Sequence, residues 1–194
     1  MPVKLIVGLG NPGEQYQASR HNLGFLTIDH LAGRHGISLQ KRGFDAFFGQ
    51  GRIANEAVLL AKPQTFMNLS GFALEKLLAY FRTDIADLLV IHDDLDLPFQ
   101  TVRLKQGGGS GGHKGLASIS EHLGSSDFFR VRIGIGKPAR KGMVESYVLS
   151  PFTTEEQREL PNIITAASEA AQEIVENGIE SAMRIYHGRS INLT

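Results

Sequence analysis

KLIVGLGNPGEQYQASRHN, Lys4–Asn22, is the stretch whose reading decides the fold. It opens on a short apolar run, Leu5-Ile6-Val7, which reads as a buried strand. The tight turn Gly8-Leu9-Gly10-Asn11-Pro12-Gly13 follows, and a polar segment then ends in Arg20-His21-Asn22. Amide side chains and an imidazole are thus delivered close to one strand end. In open α/β sheets that end is where ligands bind. The turn also matches G-x-G-x-x-G, the dinucleotide fingerprint, but its context does not fit. That fingerprint needs a helix starting at its third glycine and an acidic residue about 20 positions on, at the end of a second strand. Here Pro12 and the polar residues after Gly13 delay the helix, and Asp29, at roughly the right offset, falls inside the helical pattern Leu23–Arg34.

Outward from this stretch, strand and helix patterns alternate. Leu23, Phe25, Leu26, Ile28 and Leu31 give a broad apolar helix face, with Gly36 as a stop. Phe44–Gly51 and Ile53–Ala61 read as paired strands around a Gly/Arg turn. After the loop Pro63–Asn68, a helix is expected from Ser70, with Leu74, Leu77, Leu78 and Phe81 recurring at helical spacing. Leu88–Ile91 reads as a central strand running into His92-Asp93-Asp94-Leu95-Asp96-Leu97-Pro98. Thr101–Lys105 alternates, the glycine-rich loop Gly107–Gly115 follows, and Leu116–Leu123 is a short helix. Phe129–Ile135 alternates again, with Val131, Ile133 and Ile135 inward and Arg130 and Arg132 outward. Thr153 or Thr154 with the glutamates after it starts a long alanine-rich helix running to about Asn177, with Pro161 a candidate bend; Gly178 separates it from a last helix, Glu180–His187. With no internal repeat and no dividing linker, residues 1–194 are expected to form a single globular α/β domain, a twisted mixed β-sheet with helices on both faces.

Composition removes several kinds of function. The 194 residues include no cysteine, so disulfide, thiol-nucleophile and thiolate-metal chemistry all go. No apolar run approaches the ~18 residues of a membrane span, and Gly8 and Gly10 break the only early apolar run, so a cytoplasmic protein without membrane attachment is expected. Formal net charge is zero, yet it is polarised: Phe99–Gly142 carries eight cations against two carboxylates, and Met143–Thr194 carries eight glutamates against three arginines. Such a chain can present one basic face while its total charge stays silent; ordinary segregation of surface charge is the plainer reading.

The polar groups at expected element ends are Asn11, His21, Asn68, His92, Asp93 and His113. They suit a hydrolytic site built on a histidine base, oriented by a carboxylate such as Asp93, with amides to donate to an oxyanion. With no G-x-S-x-G elbow a serine acyl-enzyme is poorly supported, so water activated by His21 is the economical mechanism. A metal site drawn from His21, His92, Asp93, Asp94, Asp96 and His113 is the rival, without H-E-x-x-H or calcium-loop spacing behind it. The glycine loop lacks the G-K-[ST] of a P-loop; it is either a mobile connection or a place where a polymer end approaches closely, with Lys105, Lys114 and Arg132 near enough to hold phosphates.

Taken together, KLIVGLGNPG at Lys4–Gly13, RHNLGF at Arg20–Phe25, KPQTFMNLSG at Lys62–Gly71, HDDLDLP at His92–Pro98, GGGSGGHKGL at Gly107–Leu116, VRIGIGKP at Val131–Pro138 and YVLSPF at Tyr147–Phe152 resemble bacterial peptidyl-tRNA hydrolases over essentially the whole chain. The resemblance implies cleavage of the ester between peptide and tRNA by a cytoplasmic monomer using neither metal nor organic cofactor. It implies His21 as the catalytic histidine and Asp93 as its orienting acid. Asn11 and Asn68 are the implied amides for water and substrate, His113 a substrate-contacting histidine, and Lys105 and Arg132 the cations for the tRNA 5′ phosphate. Tyr16, Phe66 and Lys114 complete the expected substrate- and tRNA-binding set. A non-catalytic RNA-binding protein on the same scaffold is the alternative. The sequence departs from the family pattern at Lys114, commonly Asn, and at Ser110, where some members carry histidine.

Overall fold

Main chain touches main chain where the first strand hands over to the first helix. A computed structural model of the chain describes residues 3–187. In it β1 is Lys4–Gly8 and helix α1 is Leu23–Arg34. A Cβ placed on Gly8 would lie 2.1 Å from the Gly24 carbonyl oxygen, and one on Gly24 would lie 2.3 Å from the Leu9 nitrogen. Glycine is required at both places by this approach. Gly8 therefore serves helix-on-sheet packing; α1 starts at Leu23 rather than at Gly13, and Asp29 lies inside it, as the context argued against the dinucleotide fingerprint requires.

The other strands are β2 Lys41–Gly43, β3 Ala46–Ile53, β4 Glu56–Pro63, β5 Leu88–Asp94, β6 Val102–Gln106 and β7 Phe129–Gly134. Among the described residues they form one seven-stranded sheet in the order β2-β3-β4-β1-β5-β7-β6. The central strands β4, β1, β5 and β7 are parallel. β2, β3 and β4 pair antiparallel, and β6 pairs antiparallel with β7. The sheet is mixed and carries the usual twist.

The remaining helices are α2 Ser70–Phe81, α3 Lys114–Leu123, α4 Val144–Leu149 and α5 Thr154–Tyr186. Strand periodicity sends alternate side chains to opposite faces. Leu5, Val7, Leu59, Leu88 and Val90 meet Leu74 and Leu77 of α2 and Leu116 and Ile119 of α3. Ile6, Leu60, Leu89, Ile91 and Val131 meet Ile28 and Leu31 of α1 and Ile163, Ala167, Ala170 and Ala171 of α5. Each fully buried aliphatic side chain contributes about 1.5–3 kcal/mol, and small alanines let α5 lie close. The chain is thus a single α/β domain with both sheet faces covered.

Several expectations are corrected. The β3–β4 turn is at Ala54-Asn55, with Ile53 opposite Glu56, not at Gly51-Arg52. Gly51 sits inside β3 because Ile37 crosses it; a Cβ there would lie 2.5 Å from Ile37 Cγ1. Phe44 and Asp45, read as strand, form a tight turn in the left-handed region (φ 56 and 53) that adds β2 at the edge. β6 pairs antiparallel with β7 across the intervening α3. α3 begins at Lys114 rather than Leu116 because the His113 imidazole caps it. α4 has no counterpart among the expected elements. In α5, Pro161 does not interrupt the helix, whereas Gly178 (φ 80, ψ 167) does. The expected end of the final helix, His187, is the last described residue, and residues 188–194 lie outside the described ones. Arg130, expected outward, is buried, because α3 and the glycine loop cover that face of the sheet.

Candidate active site

The site forms at the carboxyl ends of β1 and β5. After β1, Leu9 N donates to Ile91 O at 3.0 Å and so keeps the outgoing loop on β5. The 3₁₀ turn Arg20–Asn22 then runs straight into α1. Asn22 clasps the loop from behind: its Oδ1 accepts from Asn11 N at 2.8 Å and its Nδ2 donates to Asn11 O at 3.0 Å. Asn11 Oδ1 accepts from Met67 N at 2.7 Å, which leaves the Asn11 amide as a pure donor toward the cleft.

Asp93, near the end of β5, is buried and receives two histidines. His21 Nδ1 lies 2.8 and 2.9 Å from its two oxygens, and His113 Nε2 lies 3.1 Å from Oδ1. A carboxylate only accepts, so His21 carries its proton on Nδ1 and keeps the Nε2 lone pair. His113 is fixed from its other side: Nδ1 accepts from Gly115 N at 3.2 Å and Leu116 N at 3.4 Å, capping α3. Its proton is therefore on Nε2, and it serves as a donor. Burial alone would raise the Asp93 carboxyl, but His21 and His113 beside it, with their hydrogen bonds, outweigh that and hold it well below the usual carboxylate range.

His92 is buried next to this group, its ring centroid 5.1 Å from that of His113. Its Nδ1–H donates to Asp93 O at 2.7 Å. Burial, then the neighbouring His113, push it down to about 3, so it is neutral. The other acids at the end of β5 and just past it are also paired, Asp94 with Arg132 Nε at 2.8 Å and Asp96 with Lys137 at 2.8 Å.

These groups line a cleft of about 740 Å³. The structure brings every residue of the expected set to it: His21, Asp93, Asn11, Tyr16, Phe66, Asn68, Lys105, His113, Lys114 and Arg132. Asn68 does not cap α2, whose start has no side-chain cap bond. Phe66 is 56% exposed at the rim. Lys105 lies against Gly108 of the glycine loop. Lys114 pairs with Glu145 of α4 at 3.1 Å, both strongly exposed.

Two site groups escape sequence reading. Arg130 underlies the glycine loop, donating to Gly109 O at 2.8 Å and Gly108 O at 2.5 Å. Alternation on β7 gives the right face but the wrong exposure, because it takes that face as solvent. Glu145 sits on a helix too short for periodicity to reveal.

The arrangement suits proton transfer. The ligating atoms of His21, Asp93 and His113 lie within 4.8 Å of one another, so these are the residues that would hold a metal. His113, however, turns a proton and not a lone pair toward Asp93, and the three groups already satisfy one another. Nε2 of His21 keeps its lone pair, in a cleft lined also by Asn11, Lys105, Lys114 and Arg132.

A family model described as Peptidyl-tRNA hydrolase matches residues 5–193. The peptidyl-tRNA hydrolase of Geotalea daltonii is 46% identical over 191 residues, covering 98% of this chain and all of its own length. That of Desulforudis audaxviator is 51% identical over 181 residues, covering 93% of this chain and 91% of its own. The crystal structure of peptidyl-tRNA hydrolase from Acinetobacter baumannii superposes with a TM-score of 0.91 at 37% identity, covering 97% of this chain and 96% of that one. With the same sheet and nearly the full length shared at such identity, the chain belongs to the peptidyl-tRNA hydrolase family.

Proposed function

We propose that the chain hydrolyses the ester joining peptide to tRNA in peptidyl-tRNA, releasing free tRNA and peptide. The observation that carries this is the doubly held Asp93, which leaves His21 Nε2 as the base in a cleft that Lys105, Lys114 and Arg132 also line. Water placed by Asn11 and Asn68 loses a proton to His21 Nε2 as it attacks the ester carbonyl. Asp93 stabilises the imidazolium that forms, and amide donors stabilise the oxyanion. The imidazolium then returns the proton to the departing ribose oxygen. Family membership implies peptidyl-tRNA as the partner.

Phe66 and Tyr16 would pack against the peptide, and Lys105, Lys114 and Arg132 would take tRNA phosphates. Counterion release makes those contacts salt-sensitive. Such a substrate fits a protein of the cytoplasm, and the family resemblance implies a monomer. Among the described residues, no helix is long and apolar enough to cross a membrane.

The test is purified protein with peptidyl-tRNA, with and without chelator. Free peptide and intact tRNA in both are expected. Tight binding without turnover would favour the alternative, a non-catalytic RNA-binding protein.

A further inference from the structure

The chemistry uses His21 but leaves its neighbour Arg20 and the segment Tyr147–Phe152 without a task. Arg20 is 4% exposed. Its guanidinium lies over two rings, Cζ 4.4 Å from the centroid of Tyr147 and 5.0 Å from that of Phe152. Nη1 donates to Ser150 Oγ at 2.8 Å, to Ser150 O at 3.4 Å and to Pro151 O. Nη2 is paired with Glu156 Oε2. Only Nε is buried without a partner. The main chain takes the same path: Arg20 N donates to Ser150 O at 3.1 Å, and Ser19 bridges Pro151.

Glu156 is itself fixed. The same Oε2 accepts from Thr153 N at 2.7 Å, and Glu156 N donates to Thr153 Oγ1 at 3.2 Å, the reciprocal cap that starts α5. Arg20 is thus tied to the first turn of the longest helix among the described residues.

The geometry of the turn makes this matter for His21. A 3₁₀ turn has three residues per turn, so successive side chains leave about 120° apart. Arg20, His21 and Asn22 reach three different walls: the α4–α5 junction, Asp93 on β5, and Asn11 beyond β1. A short 3₁₀ turn has little rigidity of its own, and three divergent anchors supply it. We propose that Arg20 is a positioning residue for His21, working against Tyr147–Phe152 and the Glu156 carboxylate in the first turn of α5. Arginine fits where lysine would not, because a planar fork can stack over two rings while bonding four acceptors.

This inference rests on His21 as the base, and its test keeps the two apart. Arg20→Lys, Arg20→Met, Glu156→Ala and Thr153→Ala are compared with the parent, using peptidyl-tRNA, a small N-blocked aminoacyl ester, thermal melts and the NMR signal of the His21 Nδ1 proton. The Arg20 variants and Glu156→Ala should lose about 10–10²-fold in kcat on both substrates, with KM within about two-fold, as expected for a displaced catalytic group. Their Nδ1 proton signal should shift or broaden. Thr153→Ala removes the Oγ1 half of the cap and leaves Glu156 Oε2 on Arg20 and on the residue 153 main-chain N–H; it should lower the melting temperature and leave kcat and the signal unchanged. If Thr153→Ala costs as much kcat as Glu156→Ala, or if folded Arg20 variants keep kcat and signal, positioning is overturned. Should the Arg20 variants not fold, Glu156→Ala against Thr153→Ala decides alone. A parent that binds but does not turn over would sink the functional reading, while the proton signal would still report on the anchor.

Discussion

His113 donates to Asp93 through the very oxygen that His21 also holds, at 3.1 Å, while its other ring nitrogen caps α3. The charge of one carboxylate is therefore divided between two imidazoles. His113→Asn should keep a helix cap and give up the donor to Asp93. Asp93 is then left to His21 alone, so the His21 Nδ1–H bond to it should tighten and the Nδ1 proton resonance should move downfield. An unmoved resonance would show that the two histidines do not compete.

His21→Ala should lose about 10²–10⁴-fold in kcat with the fold intact. Asp93→Asn should fall in the same range, because an amide can present its NH₂ to Nδ1 and turn the imidazole to the wrong tautomer. Single-turnover rates with circular dichroism as the folding control check both. Near-parental turnover by folded His21→Ala would remove it from the mechanism.

His92 makes stability depend on acid. It is neutral when folded and titrates near 3, against 6.5 when unfolded. Between those values the unfolded chain binds the extra proton, so stability falls as pH drops from about 6.5 toward 3, by at most about 1.4 kcal/mol per unit. Asp93, held low, adds a further loss only below about 3.8. Melting temperature against pH for the parent and for His92→Asn is the measurement. The variant should be flatter between pH 6.5 and 4; parallel curves would assign the acid sensitivity elsewhere.

Lys105 and Arg132 should separate by salt and by stability. Lys105→Ala should weaken tRNA binding and reduce the salt slope by about one, leaving hydrolysis of a small ester unchanged. Arg132→Gln should do the same and also lower stability, because Asp94 loses its ion-pair partner. Equal loss on the small ester would place either residue in the chemistry instead.

Lys114 is engaged by Glu145 across the cleft mouth. A contact with tRNA requires it to leave that partner, which is cheap for so exposed a pair. Glu145→Gln should then lower KM for peptidyl-tRNA at low salt, and Lys114→Asn should make KM less salt-dependent. A double-mutant cycle measures the coupling; superimposable KM-against-salt curves would remove Lys114 from the interface.

The layered sheet is legible because Leu5–Val7 and Leu88–Ile91 are apolar runs that only a strand covered on both faces explains. Asp93 can be picked out since it follows the second run, and His21 since it ends the polar segment between the first run and the helical pattern from Leu23. The features hidden from sequence depend on contacts distant along the chain. Gly51 looks like a turn until Ile37 is seen crossing it. Arg130 looks exposed until the carbonyls of Gly108 and Gly109 are seen above it. The histidine cap of α3 is foreign to the usual choice of Ser, Thr, Asp or Asn.

The contact between Gly8 and Gly24 sets a tolerance. The spacing of β1 from the start of α1 is fixed by the radii of backbone atoms, which do not relax as side chains do. His21 rides on the turn leading into that helix, so its height above Asp93 is gauged by two residues that never meet substrate. Any bulk introduced there acts like a shim, lifting the imidazole out of register while every reacting group remains present. Loss of function at these glycines would thus be an error of dimension, with the chemistry intact but misplaced.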